Sequence, residues 1–445
     1  MRQSSTDSDN TPDPSLNETA LESKRVKCYG SEHSSSNHWV LQDVTGNNIP
    51  TIEDLHQVID ASNGMMYMYK PAETTKKGCS LFVFNPLTMK VDDLSNRLQY
   101  RKRRSSIVTD TVDSHEKKKF PMIDFPSLAI IQSGTSKFLA VIGGYIYTDE
   151  IPDGEPNNKL FLIDVTDQAR PHWWCQKVEG RAQPRLDATA IVVDNRVYLF
   201  GGVDRPNGPT EEPGVHLRSY SILEHDWDIH RWKWIVSDVP YPPQDVPEEI
   251  NFGHGVPVFF GGRLLLFPSR KMPSFEATFT KKNIFYFDTK YHTFELARIM
   301  TEDINLPCSL SFFSACSYIP PPNNYPPGST TQYLNFSPQK RRLLYTPITS
   351  AESVIICGWQ TTGIDHDHLV PEMWRFFLFP CNRIVCLSIE AANDLIQQPA
   401  QFYYFALIGS SIYFLGSADD EDQLDRIDSS DKLLDVCLEL TIHPD

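Results

Sequence analysis

The sequence has no apolar run long enough to cross a bilayer, no CxxC cysteine pair and a deficit of basic charge. Its 445 residues include 41 lysines and arginines against 57 aspartates and glutamates, a net charge of −16. Duplex nucleic acid is bound by a concentrated excess of basic residues, so nucleic acid is not the expected partner. A spanning helix needs about 18 apolar residues, and the N-terminal segment also lacks the apolar core of a secretory signal. We therefore expect a soluble intracellular protein without a membrane partner.

Cysteine and glycine usage favours an all-β fold with reduced thiols. The nine cysteines are scattered, and the closest two, Cys381 and Cys386, lie in apolar strand-like sequence. Such a distribution is typical of core thiols rather than of disulfides or a zinc site. Prolines number 33 against 22 glycines, which indicates many loops and turns rather than long helices.

One apolar segment recurs six times along the chain. In residues 196–202, RVYLFGG, an aliphatic and aromatic run stops on two glycines, and related runs occur elsewhere. The residues that follow each run, placed in register, are Lys70, Gly143, Gly201, Pro268, Gly358 and Gly416. Recurrence at intervals of tens of residues indicates a repeat architecture.

Each copy has further apolar segments before and after it. One precedes it, a second follows, and in most copies a third follows that is often aromatic. Four short strands per unit, repeated, predict a β-propeller, in which small sheets stand around an axis. We predict a single six-bladed propeller domain over residues 37–445, with blades near residues 54–95, 126–180, 187–237, 253–300, 310–390 and 402–440.

The third unit shows the pattern most completely. GRAQPRLDATAIVVDNRVYLFGG, residues 180–202, has Pro-Arg before its first strand and two glycines after its second. In these positions the chain resembles the kelch-repeat β-propeller family, within the galactose oxidase-like central domain superfamily. The resemblance covers roughly residues 38–440 and is strongest in the second and third units. It implies structural roles for Gly143, Gly144, Trp173, Trp174, Arg185, Tyr198, Gly201, Gly202, Trp232 and Trp234.

The other units depart from this pattern. Four of them lack the double glycine, and the histidine often found in the first kelch strand is Ala188 in the third unit and His254 in the fourth. Paired glycines let the connection after the second strand leave without a Cβ clash. An outer tryptophan covers the gap between adjacent sheets, so these residues are predicted to be structural.

The last unit ends with its third strand, whereas a strand-like segment near the N-terminus has no unit of its own. This segment is HWVLQDVTG, residues 38–46. We predict that residues 39–44 complete the last blade as its fourth strand and close the ring, because the sheet edge would otherwise be exposed. Residues 1–36, rich in serine, aspartate and asparagine, are predicted to be a disordered tail.

Alternating strand directions place the connections on two faces. The connections between second and third strands are predicted to be long, at residues 145–158, 203–217, 269–282, 360–371 and 417–430. Two connections between fourth and first strands are also long, at residues 101–120 and 238–252. Recognition tends to lie on long loops held by a rigid scaffold, so this face is predicted to bind a partner.

One of these loops carries two basic clusters in the form of a bipartite nuclear-import signal: Arg101, Lys102, Arg103, Arg104, Lys117, Lys118 and Lys119. The RRSS sequence also makes Ser106 a candidate phosphosite, since phosphate would add nearly two negative charges beside the arginines. A solvated loop with neither role remains an alternative. The predicted location is therefore the cytoplasm, with the nucleus left open.

Two other motifs are candidates for metal binding or for docking of a partner. Alternating His and Asp can hold a divalent metal, but the loop segment Asp365, His366, Asp367 and His368 has no second cluster to complete a site. A proline-rich insert, residues 319–342, could be a polyproline docking peptide or a surface loop. No nucleophile elbow marks a catalytic serine, so we predict no catalytic residue, no metal and no cofactor.

These patterns predict a non-enzymatic protein–protein interaction module, a monomeric scaffold or adaptor. One alternative is a substrate receptor subunit of a ubiquitin ligase, a role that the kelch resemblance implies. Another is an enzyme, such as a carbohydrate-active one, with its site in an axial pocket. Carboxylates, histidines or arginines that converge at the axial opening would favour the enzyme, and a heterogeneous opening would favour binding alone.

Overall fold

A computed structural model of the chain confirms the all-β prediction among the residues it describes. The structure describes residues 39–46, 48–51, 55–60, 64–71, 78–101, 119–148, 150–206, 214–226, 231–253, 255–260, 262–268, 276–300, 306–307, 309–318, 353–362, 368–379, 383–389, 400–408, 411–418, 433 and 436–441. Within these ranges the helical element is a single 3-10 turn at Ser95–Arg97. The strands form seven sheets.

Six of the sheets contain a set of four strands each; in five of them these strands come from one region of the chain, and in the sixth a strand near the N-terminus joins three from the C-terminal region. We number these sheets in the order of those regions along the chain. Sheet 1 contains, in hydrogen-bonded order, β2 (Thr45–Gly46), β6 (Lys90–Asp93), β5 (Cys79–Asn85), β4 (Met66–Pro71) and β3 (His56–Ile59). Sheet 2 contains β7 (Gln99–Tyr100), β14 (His172–Gln176), β13 (Leu160–Asp164), β10 (Ser136–Ile142) and β9 (Ser127–Ser133). Sheet 3 contains β15 (Val178–Glu179), β19 (Arg231–Pro240), β18 (Ser219–Asp226), β17 (Arg196–Phe200) and β16 (Thr189–Val193).

The second half of the chain repeats the arrangement. Sheet 4 contains β24 (Phe294–Leu296), β23 (Phe285–Asp288), β21 (Arg263–Leu266) and β20 (Val258–Phe260). Sheet 5 contains β25 (Arg298–Ile299), β29 (Arg383–Ile389), β28 (His368–Phe379), β27 (Ser353–Thr362), β26 (Ser309–Tyr318) and β22 (Glu276–Thr278). Sheet 6 contains β1 (Trp39–Asp43), β32 (Val436–Thr441), β31 (Ser411–Ala418) and β30 (Ala400–Ile408). A small seventh sheet contains β12 (Glu155–Pro156), β11 (Tyr145–Tyr147) and β8 (Met122–Asp124).

The second strand of sheet 3 shows why these strands are apolar on both faces. Successive side chains of a strand point to opposite faces, yet Val197, Tyr198, Leu199 and Phe200 are all at most 1% exposed. Val197 and Leu199 pack in a cluster with sheet 2, whereas Tyr198 and Phe200 pack in a cluster with sheet 4. Each face of this sheet therefore lies against a neighbouring sheet, which explains a continuous apolar run in place of an alternating one.

Buried side chains join sheets that are consecutive in the chain. Five clusters of described residues are shared between sheets 1 and 2, 2 and 3, 3 and 4, 4 and 5, and 6 and 1. The first strands of consecutive sheets, from β3 in sheet 1 to β30 in sheet 6, also lie side by side. Adjacent first strands have residues with Cα atoms within 8 Å of each other, and this includes β26 of sheet 5 and β30 of sheet 6. The hydrophobic core thus lies between the sheets rather than within one of them.

Short parallel strands form a second type of link, which the sequence pattern did not reveal. After the fourth strand of one sheet, the chain adds two residues alongside the fourth strand of the next: β2 on β6, β7 on β14, β15 on β19 and β25 on β29. These strands join sheets 6 and 1, 1 and 2, 2 and 3, and 4 and 5 through backbone hydrogen bonds. Each such strand also covers an outer sheet edge.

The strand near the N-terminus lies in the sheet to which the sequence assigned it. β1 pairs antiparallel with β32, from Trp39 opposite Leu440 to Asp43 opposite Val436. The connection predicted at residues 360–371 is shorter than expected. Sheet 5 continues its pairing to Thr362 opposite His368, so the connection is reduced to residues 363–367.

Candidate functional site

The connections divide the sheets into two ends. We call the end with the second–third and fourth–first connections the loop end, and the opposite end the turn end. At the loop end, second–third connections span residues 143–159, 201–218, 267–284 and 419–435. At the turn end, first–second connections are as short as residues 134–135 and 194–195. The predicted difference in length is therefore present, except in sheet 5.

The double glycines lie where one sheet meets the next at the loop end. A Cβ atom on Gly143 would lie 2.3 Å from the carbonyl oxygen of Arg185, which leads into sheet 3. A Cβ atom on Gly201 would lie 2.5 Å from the backbone nitrogen of Gly253, which leads into sheet 4. Both glycines have positive φ angles, 67° and 62°. They are needed because the backbone of the next sheet passes too close for a side chain.

The second glycine of each pair faces the segment that leads into the first strand of its own sheet. A Cβ atom on Gly144 would lie 2.5 Å from the carbonyl oxygen of Asp124, and one on Gly202 would lie 2.5 Å from that of Leu186. The amide of Gly144 also donates a 2.9 Å hydrogen bond to the carbonyl of Arg185. The paired glycines thus hold three backbone segments together.

Arg185 is fully buried beneath these segments. Its Nη1 donates to the carbonyls of Gly201 and Ser219 at 3.0 and 3.2 Å. Its Nη2 donates to Asp238 Oδ1 at 2.7 Å and to the hydroxyl of Ser221 at 3.3 Å. The guanidinium therefore holds the start of the third strand and the end of the fourth strand of sheet 3, and this is a structural role.

Hydroxyl groups at the start of the first strands make the next set of contacts between sheets. Ser127 of sheet 2 donates a 2.7 Å hydrogen bond to the carbonyl of Ala188 in sheet 3. Thr189, at the equivalent position of sheet 3, donates to the carbonyl of Phe252 and accepts from the amide of Gly255 at 2.6 Å. The same place in successive sheets thus binds the chain that enters the following sheet.

The tryptophans predicted to cover gaps lie between sheets or at their margins. Trp173 is 5% exposed and packs against Phe120, Phe161 and Tyr100 in the cluster shared by sheets 1 and 2. Trp232 is 2% exposed and belongs to the cluster of sheets 2 and 3. Trp174 and Trp234 are half-buried against that same cluster.

Three residues from consecutive sheets lie near one another at the loop end. His56 begins the first strand of sheet 1, and Phe125 and Asp187 each lie two residues before the first strands of sheets 2 and 3. The rings of His56 and Phe125 lie 6.3 Å apart, edge to face, and the amide of Asp187 donates a 2.9 Å hydrogen bond to the carbonyl of Phe125. We call these three residues the loop-end recess.

Burial alone shifts the titration of the two ionisable groups in the recess. It lowers the pKa of His56 to about 4 and raises the pKa of Asp187 to about 7. All three residues nevertheless keep part of their surface exposed.

The backbone of the recess is in an uncommon conformation. Phe125 and Asp187 have φ angles of 53° and 51°, in the left-handed region. That region costs a residue with a side chain about 1 kcal/mol or more, although aspartate tolerates it better than phenylalanine. Sheets 2 and 3 therefore place strained residues that are not glycine at the same position.

A tyrosine cluster lies beside the recess on the small sheet. The rings of Tyr145 and Tyr147 lie 5.5 Å apart, and a Cβ atom on Gly154 would lie within 2.7 Å of both. Burial, followed by the charge of Asp124 and a hydrogen bond to it, raises the pKa of Tyr147 to about 12. The neutral hydroxyl of Tyr147 and the carboxylate of Asp124 thus form a pair close to Phe125.

The predicted import and phosphorylation signals lie mostly outside the described residues. Arg101 and Lys119 are described and exposed, and the amide of Arg101 bonds to the carbonyl of Trp173 at 2.9 Å. The remaining residues of the two clusters lie outside the described part of the chain: Lys102, Arg103, Arg104, Ser106, Lys117 and Lys118. Both interpretations remain predictions.

The interpretations of the His–Asp segment and of the proline-rich insert also remain predictions. Asp365, His366 and Asp367, the insert at residues 319–342 and His254 lie outside the described ranges, and of His368 only the strand is described. Within the described residues, no group of three or more His, Cys, Asp or Glu side chains could hold a metal ion. No helix in that part of the chain is long and apolar enough to span a membrane.

Sequence reasoning missed the recess. Ala188 and Thr189 lie beside Asp187 and gave no sign of it, because the left-handed angle and the approach of Phe125 are tertiary properties. A weak signal was present in the third unit, where Asp187 breaks the apolar run into the first strand. Such a break is also typical of an ordinary turn.

The repeated four-stranded sheets and their glycine-lined contacts define the class of the molecule. It is an all-β protein built of many small antiparallel sheets, an arrangement that is consistent with a propeller. No family model matches the chain. The chain is similar to N-acetylneuraminate epimerase 1 of Escherichia coli O6:H1, with 24% identity over 110 residues. That relative is a kelch-repeat propeller protein, so the similarity agrees with the resemblance noted in the sequence.

The similarity is limited in extent. It covers 24% of this chain and 27% of the relative. The chain therefore matches about a quarter of that protein's length, and the relative's activity is not carried over by it.

Proposed function

We propose that the six sheets are the blades of a closed propeller, and that the chain is a protein interaction module that binds its partner through the loop end. The shared clusters between consecutive sheets, the adjacent first strands and the pairing of β1 with β32 support the ring. The observation that carries the binding proposal is the concentration of long connections at one end of a rigid scaffold. A protein of the cytoplasm or nucleus is the partner class that fits the sequence.

Deletion of β1 tests the ring. A chain that lacks residues 1–44 leaves the edge of β32 unpaired, and we expect it to unfold at a lower temperature and to self-associate. A chain that lacks residues 1–37 keeps β1 and is the matched control. Thermal unfolding and size-exclusion chromatography measure both. If the two chains behave alike, β1 does not close the ring.

Loop-end and turn-end variants test the binding surface. The loop-end variant replaces residues 148–153 with a two-residue turn and changes Val215, which is 56% exposed, to serine. The turn-end control changes Leu87 and Tyr291, which are 67% and 68% exposed, to serine. Quantitative affinity purification should show that the loop-end variant loses partners that the turn-end variant retains. Equal retention, or loss only in the turn-end variant, contradicts the proposed surface.

A second candidate function is an enzyme or binding protein for a small ligand at the same opening. His56 and Asp187 are ionisable groups in one recess, and the similar bacterial protein is named as an epimerase of N-acetylneuraminate. Incubation of the intact protein with N-acetylneuraminate, followed by proton NMR, tests this candidate. Accelerated interconversion of its anomers, lost in H56N, would support it over the interaction module.

A further inference from the structure

The outer edge of sheet 4, formed by β24, differs from the outer edges of four other sheets. In sheets 1, 2, 3 and 5 a two-residue parallel strand lies alongside the fourth strand: β2, β7, β15 and β25. Among the described residues, β24 has β23 as its one hydrogen-bonded neighbour. The link from sheet 3 to sheet 4, residues 241–253, is described throughout and adds no strand to β24. The link into sheet 6, residues 390–399, lies outside the described ranges.

The sequence of the link into sheet 4 explains the open edge. In sheet 2 the covering segment bonds through its amides: Gln99 donates to the carbonyl of Pro171 at 3.0 Å, and Arg101 donates to that of Trp173 at 2.9 Å. The corresponding segment after β19 begins with YPP, residues 241–243. Proline has no amide proton, so two of these three residues cannot make the bonds that a covering strand needs.

A backbone hydrogen bond shows which groups of β24 point outward. The amide of Ala297 donates to the carbonyl of Ile284 at 2.9 Å, at the end of the pairing between β23 and β24. Residues of an antiparallel strand alternate between those whose backbone bonds to the partner strand and those whose backbone points away. The amides and carbonyls of Phe294 and Leu296 therefore point away from β23, toward the open edge.

This edge lacks most of the features that protect an exposed strand. Natural edge strands are protected by lysine, by proline, by bulges or by being very short. β24 is short, with three residues, but Phe294–Leu296 contains no lysine, no proline and no bulge. Leu296 is 44% exposed, and Met300 nearby in the chain is 43% exposed. The covering strands of the other sheets have two residues each, so three residues are enough to receive such a strand.

The covering strands show what else such a segment contributes. Tyr100 of β7 packs on Trp173, with ring centres 4.9 Å apart. Ile299 of β25 is 9% exposed and belongs to the cluster shared by sheets 4 and 5. Val178 of β15 packs against the cluster shared by sheets 2 and 3. Each of these three strands brings an apolar side chain to the sheet together with its backbone.

We propose that the outer edge of sheet 4 binds an extended segment of a partner protein. The segment adds to β24 as a short parallel strand and places an aliphatic or aromatic side chain against Leu296. In this form of recognition, backbone hydrogen bonds supply affinity and side-chain contacts supply specificity. β24 is a fourth strand and not a loop-end connection, so this inference goes beyond the proposed function and does not rest on it.

A synthetic peptide from the chain itself tests the edge without a known partner. The probe is acetyl-NRLQYRK-amide, residues 96–102, which contains the covering strand of sheet 2. Saturation-transfer difference NMR on the full chain should show saturable binding of this peptide. No binding overturns the proposal.

Methylated peptides test whether backbone hydrogen bonds hold the probe. N-methylation at Arg101 should weaken binding about tenfold, because this amide makes a ladder bond in sheet 2. N-methylation at Tyr100 is the matched control, because its amide lies between two bonded ones and faces away from the ladder. It should change the affinity by less than about twofold. The charges of the two peptides are identical, so equal affinities overturn the proposal.

Position 296 offers a matched pair of variants. Proline is accepted at a sheet edge where its nitrogen faces outward, so L296P removes an outward amide and keeps every bond to β23. L296V keeps that amide and an apolar side chain. The peptide should bind L296V within about twofold of the wild-type affinity and L296P about tenfold more weakly. Wild-type affinity in L296P overturns the proposal, and the methylated peptides decide it where L296P does not fold.

Two other occupants of the edge give different results. A second copy of the chain would form wild-type dimers that L296P dissociates, and light scattering that shows this overturns the partner proposal. The N-terminal residues of the same chain would compete with the peptide. Tighter peptide binding by the chain that lacks residues 1–37 therefore also overturns it. A monomeric wild type, with equal peptide affinity in both chains, supports a separate partner.

Discussion

The two ends of the sheets differ in the contacts that join neighbouring sheets, although hydroxyl groups also link the sheets at the loop end. At the loop end, backbone meets backbone: Gly143 lies against the carbonyl of Arg185, and Gly201 lies against the amide of Gly253. At the turn end, side chains span the gap. Lys137 of sheet 2 bonds to Asp60 of sheet 1 at 2.5 Å.

Other contacts between sheets at the turn end are also made by side chains. Gln168 in the third–fourth turn of sheet 2 donates a 3.2 Å hydrogen bond to the hydroxyl of Tyr67 in sheet 1. The hydroxyl of Tyr198 in sheet 3 donates a 3.5 Å hydrogen bond to the carbonyl of Thr289 in sheet 4. Side chains can adjust when a partner changes, whereas backbone segments in contact cannot. The glycine contacts at the loop end should therefore tolerate substitution less than these side-chain contacts at the turn end.

The largest effect is expected for Gly143→Ala. Its Cβ would meet a backbone oxygen at 2.3 Å, so sheets 2 and 3 must separate, at a cost of about 3 kcal/mol or more of unfolding free energy. Gly134→Ala is the matched control at a first–second turn, because Gly134 has a φ of 55° and nothing within 4 Å. It should lose only the conformational cost, about 1 kcal/mol. Similar losses in urea unfolding would remove the steric explanation.

The next effect is expected for Arg185→Lys. Lysine keeps the charge but lacks the planar fork that reaches Gly201, Ser219 and Asp238 together, so about 2–3 kcal/mol of unfolding free energy should be lost. Arg181→Lys, at an exposed position in the same connection, should change stability by less than about 0.5 kcal/mol. Denaturant unfolding measures both, and equal stabilities would contradict the structural role.

The third effect depends on pH. The folded pKa of His56 is about 4 against 6.5 for the free side chain, so the stability that His56 contributes is complete above pH 6.5 and falls as the pH drops toward 4. At pH 5 this contribution should be about 2 kcal/mol smaller than at pH 7.

The variant H56N should lack this loss. Asp187 acts with the opposite sign, because its raised pKa makes stability fall as the pH rises to about 7. The difference between wild type and H56N therefore isolates the imidazole. Parallel pH profiles of the unfolding free energy would show that His56 is not desolvated.

The smallest effect is expected at the turn end. A double-mutant cycle with D60N and K137M should give a coupling energy of about 1 kcal/mol, because these side chains are 3% and 19% exposed. The exposed pair Lys90 and Asp92, 3.0 Å apart, is the control and should couple by less than about 0.5 kcal/mol. A coupling at Asp60 as large as the Gly143→Ala effect would show that the side-chain contact constrains the sheets as strongly as the glycine contact.

The strands themselves could be predicted from the sequence. All the apolar segments assigned as first, second and third strands lie in β3 to β32 in the predicted order, and residues 39–43 pair where the missing strand was expected. The double glycines were also found, although the sequence attributed them to the departing connection. The structure places the next sheet's backbone against Gly143 and Gly201 instead.

The contacts across sheets could not be predicted. The short parallel strands have only two residues each, which is too few to leave a pattern. The extent of sheet 5 was underestimated because Gln360, Thr361 and Thr362 are polar, and polar residues extended in a strand resemble a loop. The recess depends on His56, Phe125 and Asp187, which are far apart in the chain.

Apolar run length and glycine placement were enough to establish the all-β class of the fold and the order of its strands. These are local properties, because a strand covered on both faces must be apolar at every position. The meeting of His56, Phe125 and Asp187, the ionisation of the two titratable groups and the burial of Arg185 were decided only by the packing of consecutive sheets. Desolvation and backbone approach depend on which segments become neighbours, and that information is held in no single stretch of the chain.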